Sequence, residues 1–234
     1  MASTDAPPES SRPAVTLNLS SMMMSQFLFR PDAVILANGV FPTHAIPLGV
    51  LRSAPHVVCC DGSIVHWPDA DVVVGDGDSI PLQYRSRLAR ITEQEDNDLT
   101  KATRYCLDHY QSSISNHSRL RLAYLGATGM REDHTLGNIA LMMRYYRQMN
   151  IEPLMLTDYG WFVAAEGRQT FDSFAGQQVS IFSFNTTRLT SEGLRWSAYS
   201  YEELWQGTLN ESLGARFTLD ADGCYLVYRT YDAK

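Results

Sequence analysis

Four short apolar runs punctuate the first half of the chain: AVILAN (33–38), HVVCC (56–60), DVVVG (71–75) and RLRLAYLG (119–126). Rich in Val, Ile, Leu or Tyr, they predict strands buried on both faces. The segments 46–52, 81–90, 98–110 and 132–149 fill the gaps and read as helices. Buried strand alternating with helix is the signature of a parallel sheet, so residues 27–150 are expected to form an α/β domain.

After Pro153 the pattern changes. Segments around 154–157, 160–165, 169–171, 177–184, 187–189, 215–219 and 224–228 are short and strand-like, with turns expected at Tyr159-Gly160, Glu166-Gly167 and Asp222-Gly223. This is the texture of a β-sandwich or jelly roll over 151–234. No Gly/Ser-rich spacer separates the halves, so they are expected to pack closely. Residues 1–26 are rich in Ser, Pro and Ala without periodicity, which predicts a disordered leader, and Met22-Met23-Met24 suggests a start downstream of Met1.

Composition narrows the chemistry. Of 234 residues, 44% are hydrophobic and 19% charged, which places the chain among folded proteins. Nineteen Lys and Arg against 26 Asp and Glu give a net charge of −7 and no basic run, so the counterion-releasing face of a nucleic-acid binder is lacking. The four cysteines, Cys59, Cys60, Cys106 and Cys224, have no C-x-x-C spacing and point to a reducing cytoplasm. No window offers the roughly 20 apolar residues of a membrane span.

In an open parallel sheet the ligand crevice lies outside the carboxyl ends of the strands. Those ends are polar here: Asn38-Gly39, DGS (61–63), GDGDS (75–79) and GATGMREDH (126–134). Asp76 and Asp78, two apart among glycines, suit Mg²⁺, which takes one or two carboxylates together with substrate phosphates; the plainer reading is a solvated Asp-Gly turn. In EQEDND (93–98), Asn97 or Asp98 can cap the next helix, but capping does not account for Glu93, Glu95, Asp96 and Asp98 crowded together without a cation. GATGMREDH brings small residues close to a phosphate and sets Arg131 and Asp133 at a helix start, where anions are favoured. His134 is either a nucleotide contact or structural. Trp196 is either core or a platform for a flat ring, with Thr208 and Asn210 at the ring's edge.

Taken in order, NG, DGS, GDGDS, EQEDNDLTKA, GATGMREDHTLGN, GLRW and TLNES resemble the thiamine pyrophosphokinase (thiamine diphosphokinase) family over about residues 33–230. The resemblance implies a Rossmann-like parallel-sheet domain that binds nucleotide, then an all-β sandwich or jelly roll that binds thiamine and dimerises. It implies transfer of the β,γ-pyrophosphoryl group of ATP to the hydroxyl of thiamine, giving thiamine diphosphate and AMP, in a homodimer whose subunits share the thiamine site. Asp76, Asp78 and Asp98 match the acids that hold Mg²⁺, and with Arg131 and Asp133 they make up the implied catalytic set. Asn38, Asp61, Ser63, Thr100, Lys101, Thr128, Gly129, Arg131 and His134 fall around ATP. Gln94, Asp133, Trp196, Thr208 and Asn210 fall around thiamine. The chain departs from the family pattern at Gly77, Asn97, Met130 and Leu209. On the residues alone, another Mg²⁺-dependent nucleotide enzyme is the alternative: a pyrophosphotransferase, nucleotidyltransferase or pyrophosphohydrolase. A non-catalytic sensor is the remaining one.

Overall fold

The structure is a computed structural model that describes residues 29–111 and 119–233; the expected leader over 1–26 lies outside the described residues. The strands are β1 (Ala33–Leu36), β2 (Val57–Cys60), β3 (Val72–Gly75), β4 (Leu88–Arg90), β5 (Leu120–Leu125), β6 (Ile151–Leu156), β7 (Gly160–Asp172), β8 (Gln177–Ser183), β9 (Leu189–Glu192), β10 (Asn210–Glu211) and β11 (Arg216–Ala233). Helices α1 (Ala45–Ser53), α2 (Asp98–Tyr110) and α3 (Glu132–Gln148) complete the fold. No described helix is long and apolar enough to cross a membrane.

One sheet takes in all eleven strands, in the order β10-β8-β11-β7-β6-β5-β1-β2-β3-β4, with β9 on β11. From β6 to β4 the pairing is parallel; from β6 onward to β10 it is antiparallel. The alternation of side chains along β1 divides the core. Ala33 and Ile35 face a cluster with Leu99, Ala102 and Cys106 of α2 and Met142, Met143 and Tyr145 of α3, whereas Val34 and Leu36 face Ile46, Val50 and Leu51 of α1. The parallel strands are therefore covered on both faces, as their unbroken apolar composition demands. A third cluster, with Val179, Ile181, Phe217, Leu219, Tyr225 and Val227, fills the antiparallel half.

Three expectations need correction. The helix expected over 81–90 is a 3-10 turn, Leu82–Arg87, followed by β4. Nothing in that turn is buried, so it has no apolar face to hold an α-helix against the sheet, and Leu88 and Ala89 pair with Val73 and Val74 instead. Residues 154–157, read with the β-rich half, overlap the last parallel strand: Leu122↔Pro153 and Tyr124↔Met155 pair β5 with β6. The turns expected at Glu166-Gly167 and Asp222-Gly223 do not end strands, because β7 and β11 run straight past them. Asp220 pairs with Arg168 and Cys224 with Glu166, so three residues of β11 stand opposite Gly167 alone in a bulge.

Asp222 holds that bulge closed. Its carboxylate accepts from Thr187 N (2.8 Å), Thr187 Oγ1 (2.5 Å) and Arg188 N (3.0 Å). These bonds, the Thr187 hydroxyl foremost, hold its pKa down at about 2. Because the folded pKa lies below the unfolded value of about 3.9, the stabilisation is complete above pH 4 and is lost as pH falls toward 2. Asp222→Asn is expected to melt below the wild type at pH 6, with the gap narrower at pH 2.5. An equal gap at both values would show that the carboxylate charge is not what stabilises the bulge.

Candidate active site

The parallel strands run outward from β1 through β2 and β3 to β4, and then return to β1's other side with β5 and β6. The order of strands therefore reverses between β1 and β5, which is where an open α/β sheet opens its crevice. The two loops at this point clasp each other. Gly39 N donates to Gly126 O (2.7 Å) and Val40 N to Thr128 O (3.0 Å). A Cβ on Gly39 would sit 2.3 Å from Gly126 O and 2.6 Å from Thr128 O, so only glycine permits the approach. Asn38 lies against Gly62 across the β1–β2 edge.

Beside the clasp, β2 and β3 deliver carboxylates. Asp61 opens a 3-10 turn (Asp61–Val65) with φ of 32°, and its side chain is tucked over Gly75, where a Cβ would meet Asp61 Oδ1 at 2.2 Å. Asp61 is only 6% exposed and accepts from Gly77 N (3.3 Å), donated by a glycine at φ +87°. Burial, then the nearby Asp98 and Asp76, raise its pKa; Asp76 is held low, chiefly by Asp78 N (3.0 Å) and with help from Asp61, Lys101 and Gln94. The two carboxyls thus shift in opposite directions, the buried one upward and the one that accepts from Asp78 N downward. Asp78 itself is exposed.

Helix α2 supplies the rest. Asn97 is its cap, accepting from Thr100 N (3.0 Å), which leaves Asp98 free to face the crevice. Lys101, only 3% exposed, places Nζ 3.5 Å from Asp98 Oδ1 and acts on Asp76 as well. A buried ammonium among three carboxylates keeps the cluster from being uniformly anionic. Ser63 and Thr100 are held beneath the site instead of opening onto it: Ser63 Oγ donates to Leu36 O (2.7 Å), and Thr100 Oγ1 bonds Asn97 Oδ1 (2.9 Å) and the Tyr145 hydroxyl (2.8 Å).

At the start of α3, Arg131 forks onto Asp133 through Nε (3.1 Å) and Nη2 (2.6 Å), and Asp133 also accepts from His134 N (2.9 Å). The hydrogen bond from Arg131 holds Asp133 below the usual carboxylate range. Both partners are largely exposed, so the pair is weak and an incoming phosphate can draw Arg131 away at small cost. Thr128, Gly129 and Met130 form the loop before it.

Trp196 and Asn210 form a separate pair in the antiparallel half. Asn210 Oδ1 accepts from Trp196 N (3.2 Å) and its Nδ2 donates to Trp196 O (2.7 Å), while Trp196 stays 56% exposed with Arg195 over its ring. Thr208 Oγ1 donates to Trp205 O (2.7 Å) at the surface, and Leu209 takes φ +63° between Thr208 and Asn210. Among the described residues no hydrogen bond or ion pair joins Trp196 or Asn210 to the carboxylate cluster.

Sequence reasoning missed Asn138 and the role of Asp96. Asn138 Nδ2 donates to Ala127 O (2.8 Å) and its Oδ1 accepts from Asn97 Nδ2 (3.4 Å), so one α3 side chain spans both loops. Neither residue carries a local signal, since their partners come from distant parts of the chain.

The buried Asp61 has a thermal consequence. Its raised pKa means that the ionised carboxyl costs stability at neutral pH, a penalty absent below the unfolded value of about 3.9. In chelator-treated, ligand-free protein, Asp61→Asn is expected to melt above the wild type at pH 7.5 and level with it at pH 3.5. A lower Tm at pH 7.5 would contradict this.

Comparison with known proteins gives the site its context. Residues 49–153 match the family described as thiamin pyrophosphokinase, catalytic domain, and residues 160–228 the one described as thiamin pyrophosphokinase, substrate-binding domain. No curated protein matches the sequence. Solved structures share the fold. Thiamine pyrophosphokinase from Bacillus subtilis superposes with a TM-score of 0.67 at 20% identity, over 86% of this chain and 99% of that one. The Candida albicans enzyme gives 0.70 at 15%, over 86% and 90%. The yeast enzyme gives 0.71 at 13%, over 90% and 89%. Because catalytic and substrate-binding halves of one family follow each other in order along the same sheet, the chain belongs to the thiamin pyrophosphokinase family, transferases that pass the pyrophosphoryl group of ATP to thiamine.

Proposed function

We propose that the transfer takes place in the crevice outside β1, β2, β3 and β5, with ATP and Mg²⁺ at the α/β end and thiamine between that end and a Trp196 surface. The observation that carries this reading is the meeting of Asp61, Asp76 and Asp98 around the buried Lys101 at adjacent strand ends. Among the described residues no three His, Cys, Asp or Glu side chains close up into a metal cluster. What supports Mg²⁺ is the chemistry of the donors, which are hard carboxylate oxygens, and Mg²⁺ keeps waters and draws part of its shell from phosphate. Asp76, Asp78 and Asp98 would hold the ion, which when bound neutralises charge on the transferring phosphates.

The chain's own groups do the rest. Asn38, Asp61, Thr128, Gly129, Arg131 and His134 bind ATP, with Ser63, Thr100 and Lys101 shaping and charging the floor beneath it. The reaction joins the thiamine hydroxyl oxygen to the β-phosphorus and breaks that phosphorus's bond to the oxygen of AMP. Asp98 or Asp78 accepts the hydroxyl proton, and Arg131 meets the charge that develops on phosphate oxygens. Gln94, Asp133, Trp196, Thr208 and Asn210 take thiamine, its flat ring stacking on Trp196.

A homodimer accompanies this reading. Trp196, Leu204, Trp205, Leu209 and Leu213 are all exposed on one stretch of the antiparallel half, an apolar surface that a second copy would cover while bringing its Trp196 to the neighbouring crevice. Four free, buried cysteines are consistent with a cytoplasmic enzyme. The test follows thiamine diphosphate and AMP together by chromatography after incubation with ATP, Mg²⁺ and thiamine. Equimolar appearance of both is expected. ATP cleaved without thiamine would mark a hydrolase, and ATP untouched beside bound thiamine would mark a sensor.

A further inference from the structure

The acidic loop before α2 holds a carboxylate that none of the roles above uses. Asp96 stands between Gln94 and Asp98, yet its side chain is only 8% exposed. It is gripped from two helices at once: Arg104 Nη2 of α2 lies 2.7 Å from Oδ2, and Arg144 Nη1 of α3 lies 3.2 Å from Oδ1. Next to it the loop folds back on Glu93, whose Oε2 accepts from Glu95 N (2.8 Å) and Asp96 N (3.2 Å). Glu93 Oε1 is buried with no partner among the described residues. A loop left to itself would turn that oxygen to water, so something else must hold the conformation against this cost.

We propose that Asp96 is a positioning residue: its paired grip on Arg104 and Arg144 sets the 92–97 loop against α2 and α3, and so places Gln94 for thiamine. Two ion pairs that share the buried Asp96 carboxylate but reach partly exposed arginines on separate helices define the loop in two directions, as one pair would not. The Asn97–Asn138–Ala127 chain of hydrogen bonds runs parallel to it and links the same loop to the strand-end loop after β5. The inference rests on the proposed placement of thiamine at Gln94, and its test separates the two.

The variant is Asp96→Asn, near in shape but without the charge that both arginines require. Two measurements are made on it: amide hydrogen exchange over 92–97, and KM for thiamine and for ATP alongside kcat. Exchange in the loop is expected to rise at least tenfold while β5 is unchanged, with KM for thiamine up roughly tenfold and KM for ATP within twofold. Asp96→Glu, which keeps the charge, is expected to restore part of the thiamine KM. Loop exchange at the wild-type rate would overturn the grip itself. Faster exchange with an unchanged thiamine KM would overturn its link to function, unless Gln94→Ala also leaves that KM unchanged, in which case the placement of thiamine has failed and the exchange result alone decides the grip in its favour. If Asp96→Asn does not fold, Arg144→Gln, which leaves the Arg104 pair in place, is read by the same outcomes with smaller changes.

Discussion

Asp76→Asn is expected to lower kcat by about 10²- to 10³-fold at saturating ATP, thiamine and Mg²⁺, while the fold melts within a few degrees of wild type. The reason is its placement. Asp76 caps the Asp78 backbone N–H with one oxygen and lies beside Asp61, Lys101 and Gln94, so it is where the charges of three elements meet. An amide there still accepts from Asp78 N but no longer offers charge to a cation. Asp78 is exposed, whereas Asp76 has charged groups of neighbouring elements gathered round it, so Asp78→Asn is expected to lose less. Steady-state rates of the two variants check the order. Near-wild-type turnover by Asp76→Asn would remove the residue from the chemistry and, with it, the strand-end cluster as the cation site.

Gly39→Ala is expected to be strongly damaging although it removes no functional group. Its added Cβ meets two backbone carbonyl oxygens, Gly126 O and Thr128 O, and backbone cannot swing aside as a side-chain tip can. Overpacking of this kind costs about 1–3 kcal/mol, and here it also pries apart the two loops that meet at the point of strand reversal. Stability should fall by about 2 kcal/mol, and activity by roughly 10²-fold even at temperatures where the variant is folded. Gly137→Ala is the matching control, since its Cβ would meet nothing within 4 Å and it lies in a helix. Chemical denaturation and rates on both variants check this. Equal behaviour of the two would show that the clasp is not needed.

Much of this was open to reading from sequence because the strongest signals were local. β1, β2, β3 and β5 are runs of apolar residues that no other element could bury on both faces, and the polar residues directly after them mark the crevice. What stayed hidden depended on partners far along the chain. The span 81–90 reads as helical because it fills a gap between buried strands, and only the free edge of β3 decides that Leu88–Arg90 pairs as a strand. Asp-Gly and Glu-Gly signal turns, yet opposite each other in β7 and β11 they absorb a bulge. Asp96 looked like one more acid in a crowded run, because Arg144 lies 48 residues away and meets it only through the packing of α3. Thr100 and Ser63 carry hydroxyls in family positions, but their geometry assigns those hydroxyls to Tyr145, Asn97 and a strand carbonyl.

The passage of the sheet from parallel to antiparallel without a break bears on how the molecule comes apart. β6 is hydrogen-bonded to β5 on one side and β7 on the other, while α3 packs against β6, β7 and β11. A chain severed after Asn150 would leave β5 with an open edge and α3 with half its cover, so neither piece would hold its shape alone. Heat or denaturant should therefore take the nucleotide end and the tryptophan-bearing end down in one cooperative transition, and a lesion at either end would be felt as lost stability in both.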